Sequence, residues 1–261
     1  QRQEAALPGQ WLLKGRKSGG GTNIYRVSGN THLPPSYLLQ EYCAGIPASV
    51  SFVANGCTAR ILGVSEQLCG CEDFGAPEFY YTGSISPLWL NNWAKFPPEL
   101  WNWLNKMVLE VTAQFALKGL NGIDFLLPDQ GEPLVLEVNP RYSASMELFA
   151  KAYGYDLFAF HVGACQGGSP PLFPPPLLGG GRYFGKAIVY APTDLIVGNT
   201  ANWFQLGMRD IPHPGEEIPV GSPVCTVLAQ GVSRDRCLEA LRERQRWVLS
   251  QAVNARAKRD R

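Results

Sequence analysis

Several things are scarce or missing in this chain of 261 residues. No apolar run approaches the roughly 18 residues needed for a membrane-spanning helix. Histidine is rare, at three, and the seven cysteines are scattered, with no CxxC pair and no Cys/His ligand spacing. A structural zinc site is therefore unsupported. Cys69-Gly70-Cys71 is the nearest approach, and a lone CxC is a weak signal. Neither GxxxxGK[ST] nor GxGxxG occurs, so neither a P-loop nor a Rossmann dinucleotide site is supported. An excess of one charge is also lacking: 23 Lys and Arg face 22 Asp and Glu, for a net charge of +1. That leaves no electrostatic footprint for nucleic acid or membrane. The basic cluster over 242–261 reads as a solvated helix and frayed tail. There is no solenoid repeat, and no feature suggests biotin, flavin or nicotinamide. The odd, scattered thiol count without a signal peptide fits reduced cysteines in a cytoplasmic protein.

What is present reads as α+β, with an apolar share of 45% that is ordinary for a folded chain. Residues 11–27 read as strand, glycine-rich turn, strand. Residues 36–43 are another extended segment. Residues 48–54 and 58–65 form an antiparallel pair, with Asn55-Gly56 as the turn signal. Residues 99–118 are the clearest helix: Leu100, Leu104, Met107, Val108, Val111 and Phe115 form one core-facing stripe. Pro97-Pro98 opens it, Lys118 occupies its last turn and Gly119 closes it. Residues 144–164 predict a further helix containing Glu147, Leu148 and Phe149. Ser169 to Gly181 is a Pro/Gly-rich connector. Strands are expected over 182–190 and 224–229, with a final helix from about Arg234.

The most informative stretch is Gly122-Ile123-Asp124-Phe125-Leu126-Leu127, a turn over 128–133, then Leu134-Val135-Leu136-Glu137-Val138-Asn139-Pro140-Arg141. Two apolar runs flank a cluster of turn formers, which predicts a β-hairpin. Asp124 and Glu137 lie symmetrically about the centre between Gln130 and Gly131, so they face each other across the strands. Asn139, two residues on, shares that face. Opposed carboxylates at roughly 5 Å repel, and a cation between them turns repulsion into a site. Two carboxylates and an amide oxygen, with positions left for phosphate oxygens, suit Mg²⁺. The competing reading is two surface acids on a solvated hairpin; the apolar context of both acids argues against it.

Lys14 ends an apolar strand and precedes Lys17-Ser18-Gly19-Gly20-Gly21. Glycines let backbone N–H groups wrap a phosphate without a Cβ clash, although a flexible hairpin turn would look the same. Gln40-Glu41-Tyr42-Cys43 is either an edge segment offering backbone groups to an adenine ring or an ordinary amphipathic strand. Arg141, with Ser143 and Ser145 beyond it, can hold a carboxylate or a transferring phosphoryl group, or can pair with Asp124 or Glu137.

Taken in order, these segments resemble the ATP-grasp superfamily: Trp11 to Lys14 with Ser18 to Gly21, then Leu38 to Gly45, then Asp124, then Leu136 to Arg141. Phe79 to Gly83, Ile211 to Gly215 and Gly221 to Val227 also look like the family. The resemblance is nearest to ATP-grasp ligases with an Asn-Pro-Arg segment followed by serines, some of which act in amino-acid or one-carbon cofactor pathways. It implies two α+β subdomains of antiparallel sheets and flanking helices clasping ATP, with an N-terminal α/β domain upstream of Gln1. The core would cover 1–168, the connector 169–181, and the C-terminal strands and helix 182–261, packed on the ATP lobe.

By the same resemblance, Asp124, Glu137 and Asn139 would hold Mg²⁺, with Mn²⁺ as an alternative ion. Lys14 would contact the α and β phosphates. Ser18, Gly19, Gly20 and Gly21 would close over the γ phosphate, and Gln40, Glu41, Tyr42 and Cys43 would meet adenine. The reaction would phosphorylate a small-molecule carboxylate to an acyl phosphate, which an amine attacks to give an amide, ADP and phosphate. The partners would be small molecules, with no nucleic acid and no membrane, and the chain could act as a homodimer. Two departures from the family pattern stand out. No acid follows the adenine segment at Gly45-Ile46-Pro47-Ala48 to meet the ribose. A further phosphate-binding lysine would lie upstream of this chain. The alternatives are a nucleotide-binding fragment without turnover and a metal-binding structural domain of another fold.

Overall fold

The computed structural model describes residues 10–27, 33–88, 97–129, 131–171 and 181–254. Gln130 at the hairpin turn, residues 172–180 of the connector, the chain start and the basic tail over 255–261 lie outside the described residues.

The chain forms two separate small sheets and one large one. β1 (Trp11–Gly15), β2 (Ile24–Val27) and β3 (Tyr37–Glu41) make an antiparallel sheet in the order β2-β1-β3, with Lys14 opposite both Ile24 and Leu38. The large sheet is built from β4 (Ile46–Asn55), β5 (Ala59–Cys69), β6 (Tyr81–Ser86), β7 (Lys118–Leu127), β8 (Leu134–Asn139), β9 (Tyr183–Tyr190) and β12 (Pro223–Gly231). Its order is β12-β9-β6-β5-β4-β7-β8, antiparallel at every pairing. The third sheet joins β10 (Leu195–Val197), β11 (Glu217–Ile218) and β13 (Ala252–Asn254). The Asn55-Gly56 turn forms as its sequence indicates. Asn55 Oδ1 accepts from the backbone N–H groups of Cys57 and Thr58, and Gly56 adopts φ 95°, which a side chain would resist.

Period-two alternation divides the large sheet into two faces. Ala48, Val50, Val64, Ile123 and Phe125 pack under α1 (Pro98–Phe115), whose Leu100, Leu104, Met107 and Val108 complete that core. The far end of this face, with Ile85 and Ala187, is covered by Cys237, Leu241 and Val248 of α4 (Arg234–Ser250). On the opposite face, α2 (Met146–Tyr153) and α3 (Leu157–Cys165) bury Met146, Phe149 and Leu157 against Val53, Leu62 and Leu120. α2 approaches β5 so closely that a Cβ on Gly63 would lie 2.1 Å from the Phe149 ring.

Three expectations need correction. The helix over 99–118 ends at Phe115, because Ala116 takes up a left-handed conformation (φ 49°) whose N–H caps the Thr112 carbonyl. Lys118 therefore opens β7, and Phe115, placed on the core stripe by its spacing, is 65% exposed in the terminal turn. The helix over 144–164 is two helices: Gly154 (φ 68°) stops α2, and Asp156 caps α3 by accepting from the Ala159 N–H. The apolar context set against a solvated hairpin does not hold on the β8 side, where Glu137 is exposed. β8 is an edge strand, and Leu134, Val135 and Leu136 are exposed. Among the described residues no helix is long and apolar enough to cross a membrane. All seven cysteines are free thiols.

Candidate active site

Strand register decides how the acids meet. β7 and β8 pair Asp124 with Glu137 and Gly122 with Asn139, then shift so that Phe125 faces Val135. The shift leaves Leu136 as an extra residue, a β-bulge of the kind that re-aims side chains at sites. Nearest the turn, Leu126–Leu134 and Phe125–Val135 are centred on residue 130, half a residue before the expected centre, and the extra residue Leu136 makes up the difference so that Asp124 faces Glu137. Asn139 Nδ2 donates to Asp124 Oδ2 at 3.2 Å and to Glu137 Oε1 at 3.1 Å. The amide oxygen faces the other way and accepts from Arg141 Nη2 at 3.0 Å. Arg141 also donates to the Tyr142 carbonyl, so its hydrogen bonds go to the amide and the backbone rather than to either carboxylate.

Asp124 is half-buried and its carboxyl is pushed up from 3.8 to about 6. Burial is the largest cause and the facing Glu137 adds to it, while Ser49 and Gln67 pull it part of the way back. Ser49 is the cross-strand neighbour of Asp124 on β4. Its buried Oγ has no partner of ordinary hydrogen-bond geometry. A carboxyl raised in this way marks negative charge without adequate compensation.

The donor set fits a hard divalent cation on chemistry alone: two facing carboxylates and an amide oxygen one rotation away. Oxygen donors of this kind suit Mg²⁺ or Mn²⁺ rather than a soft metal. Among the described residues there is no cluster of three or more His, Cys, Asp or Glu side chains arranged for a metal.

These groups open onto one cleft of about 440 Å³ between the first small sheet and the large sheet. Lys14, Ser18, Gly19, Gly20 and Gly21 line one wall, and Asp124, Glu137, Asn139 and Arg141 line the other. The glycine loop rests on the segment leading into β6: the Tyr81 N–H donates to the Gly20 carbonyl at 2.9 Å. Gly21 has φ 82°, and a Cβ there would fall 1.8 Å from the Phe79 carbonyl oxygen, so only glycine fits this approach.

The adenine-candidate segment is placed differently. Leu38 of β3 lines the cleft, whereas Gln40, Glu41, Tyr42 and Cys43 are not among its lining residues. Gln40 and Glu41 pair with Leu12 and Trp11, and the Tyr42 ring lies under the Arg26 guanidinium, 4.0 Å from it. Arg26 also binds Glu78 at 2.7 Å, tying the small sheet to the loop before β6. The sequence reading missed Ser49, Gln67, Tyr81 and Ser84, which line the cleft floor. Tyr81 lies in the family-like stretch Phe79 to Gly83 but carries no assigned role there, and for the others alternation with apolar neighbours is the only signal.

A family model described as an ATP-grasp domain matches residues 2–145, the stretch from the first strand through the Asn139–Arg141 turn. The chain belongs to the ATP-grasp family. An uncharacterised protein of Methanocaldococcus jannaschii is 25% identical over 193 residues, 74% of this chain and 42% of its own length. Among solved structures, the biotin carboxylase domain of Hydrogenobacter thermophilus 2-oxoglutarate carboxylase, a complex with MgADP, ADP and bicarbonate, matches with TM-score 0.61. It is 14% identical, with 93% of this chain and 57% of that chain covered. The L-amino acid ligase of Bacillus licheniformis matches with TM-score 0.63 at 13% identity, with 95% and 64% covered. These likenesses show the ATP-grasp fold, α+β with antiparallel sheets and four helices among the described residues. The chain spans about half of the length of these relatives.

Proposed function

We propose that this ATP-grasp chain carries the nucleotide site of an ATP- and Mg²⁺-dependent ligase that joins a carboxylate to an amine through an acyl phosphate. The observation that carries the reading is convergence: a lysine, a glycine loop, an Asp–Glu–Asn trio and an arginine share one cleft. Membership of the ATP-grasp family supports it, as does the MgADP named with one structural neighbour.

In this reading the polyphosphate of ATP lies between Lys14 and the trio. Lys14 supplies a point charge to the phosphates, and the N–H groups of the glycine loop orient them. Asp124, Glu137 and Asn139 would hold the divalent cation, which supplies charge neutralisation at the phosphate oxygens when bound. Arg141 binds the acceptor carboxylate or the transferring phosphoryl group with its planar fork. The chain itself offers position and charge rather than a nucleophile, as phosphoryl transfer requires. The amine then attacks the acyl phosphate and phosphate leaves, completing the amide.

The test is ADP release by the full-length protein, with Mg²⁺, ATP, a panel of carboxylates and hydroxylamine as a trapping amine. A hydroxamate that forms only with ATP and one class of carboxylate is the expected result. No ADP release with any carboxylate and amine, from a protein that binds Mg²⁺-ATP, contradicts the ligase reading.

A further inference from the structure

The two walls of the cleft belong to different sheets, so their separation is set by contacts between those sheets. The turn that leads into β6 sits where they meet. Pro77 to Tyr80 form a β-turn closed by the Tyr80 N–H on the Pro77 carbonyl at 3.1 Å. Phe79, its third residue, has φ 69°, while Glu78 before it is not left-handed. This is the type II pattern, whose third position ordinarily belongs to glycine or asparagine. A phenylalanine there is strained, and such strain persists only where surrounding contacts over-determine the backbone.

The contacts come from both sheets. From the large sheet, the Gly70 N–H donates to the Tyr80 carbonyl at 2.9 Å, and the Tyr190 hydroxyl donates to the Tyr81 carbonyl at 3.0 Å. From the small sheet, the Gly20 carbonyl accepts from the Tyr81 N–H, and Gly21 packs on the Phe79 carbonyl. Arg26 of β2 completes the set. Its Nε donates to Glu78 Oε1 at 2.7 Å and its Nη1 to Gln10 Oε1 at 3.1 Å. Its guanidinium carbon lies 4.0 Å from the centre of the Tyr42 ring and 5.4 Å from that of Phe79. The Arg26 and Glu78 side chains are 43% and 58% exposed, so their pairing adds little to stability. A planar guanidinium fixed by two hydrogen bonds and two rings can still set a position.

We infer that Arg26 is a positioning residue: it clasps the β6 turn and presets the width of the cleft for a polyphosphate. This rests on the nucleotide site proposed above. Lys14 and the glycine loop belong to the small sheet, and Asp124, Glu137 and Asn139 to the large one. A polyphosphate that bridges the walls needs them at one separation. With the clasp made before the ligand arrives, holding that separation costs no further ordering at binding. Arg26 is not among the residues that line the cleft, so it acts through the turn and the small sheet rather than on the ligand.

The test is a double-variant cycle on the full-length protein, read by calorimetric binding of a non-hydrolysable ATP analogue with Mg²⁺. Arg26→Met should weaken the analogue by about fivefold or more, within the range for coupled neighbours, with the melting temperature unmoved. Glu78→Gln should weaken it in the same direction. The double variant should be no weaker than Arg26→Met alone, because both changes cut one clasp. AMP, which does not bridge the walls, is the control, and Arg26→Met should bind it as the wild type does. The inference is overturned if Arg26→Met binds the analogue as well as the wild type or better, or if the two single losses add in the double variant. An equal loss for AMP and the analogue would also overturn it, in favour of a merely structural role. Failure of the wild-type chain to bind any nucleotide would overturn the nucleotide site first, and this inference with it.

Discussion

On β4 and β7, Ala48, Val50, Ile123 and Phe125 are buried under α1, while Ser49, Ser51, Gly122 and Asp124, one residue away on the same strands, turn the other way. The first set is a packed core with no polar side chain to satisfy. The second carries a carboxyl raised by burial, a serine hydroxyl without a partner of ordinary hydrogen-bond geometry and a glycine. Each strand thus does two jobs at a period of two residues. At these positions the α1 face is apolar, and the opposite face, packed under α2 and α3 at one end, is left polar and under-compensated around the cleft. Sites are commonly less stable than their scaffold could make them, and here the contrast lies within single strands.

The largest effect is expected on the packed face. Phe125 is fully buried, and Phe125→Ala should cost about 3–5 kcal/mol in a urea melt. The ATP affinity of the remaining folded protein should be nearly unchanged. Equal losses of stability and affinity would show that the faces are not separable.

Asp124→Asn should work in the opposite direction. The Asp124 carboxyl lies at about 6 in the folded chain against an ordinary 3.8. Between those values the folded chain holds more protons than the unfolded one, so stability falls as pH rises through the window. Without metal at pH 7, the variant should be more stable than the wild type by up to about 3 kcal/mol. The difference should vanish near pH 4, where the wild-type carboxyl is also neutral. Urea melts across that range check the sign, and destabilisation at pH 7 would mean that Asp124 is compensated in a way this geometry does not provide.

Lys14→Ala should weaken ATP by roughly tenfold to a hundredfold, the range for one charge-assisted contact of about 1.5–3 kcal/mol, with the melting temperature unmoved. The smallest effect belongs to Ser49→Ala. Its hydroxyl lacks a partner of ordinary hydrogen-bond geometry but eases the Asp124 carboxyl, so its removal should change stability by no more than about 1 kcal/mol.

The hairpin was the most legible part of the site, because facing residues follow from a turn centre by counting. The count succeeded through two offsetting departures: the turn is centred on residue 130 rather than between 130 and 131, and the bulge at Leu136 restores Asp124 opposite Glu137. Helix ends were less legible. Ala116 in a left-handed conformation is an unusual cap, and its neighbour Gly119 looked the better candidate until the structure put it inside β7. Gly154 inside an apolar pattern gave no clear sign that it would split one helix into two. Least legible was Arg26, whose bond to Glu78 joins residues 52 apart in the chain and depends on the small sheet meeting the turn before β6. An arginine within Ile24–Val27 gives no local clue to it.

The central claim is that the hairpin couples a divalent cation to nucleotide. The most direct measurement is calorimetric ATP titration of the wild type and Glu137→Gln, each with and without Mg²⁺. The account requires wild-type affinity to rise with Mg²⁺ and the variant to lose that rise while remaining folded. A variant that keeps the full Mg²⁺ dependence, or a wild type indifferent to Mg²⁺, would contradict it.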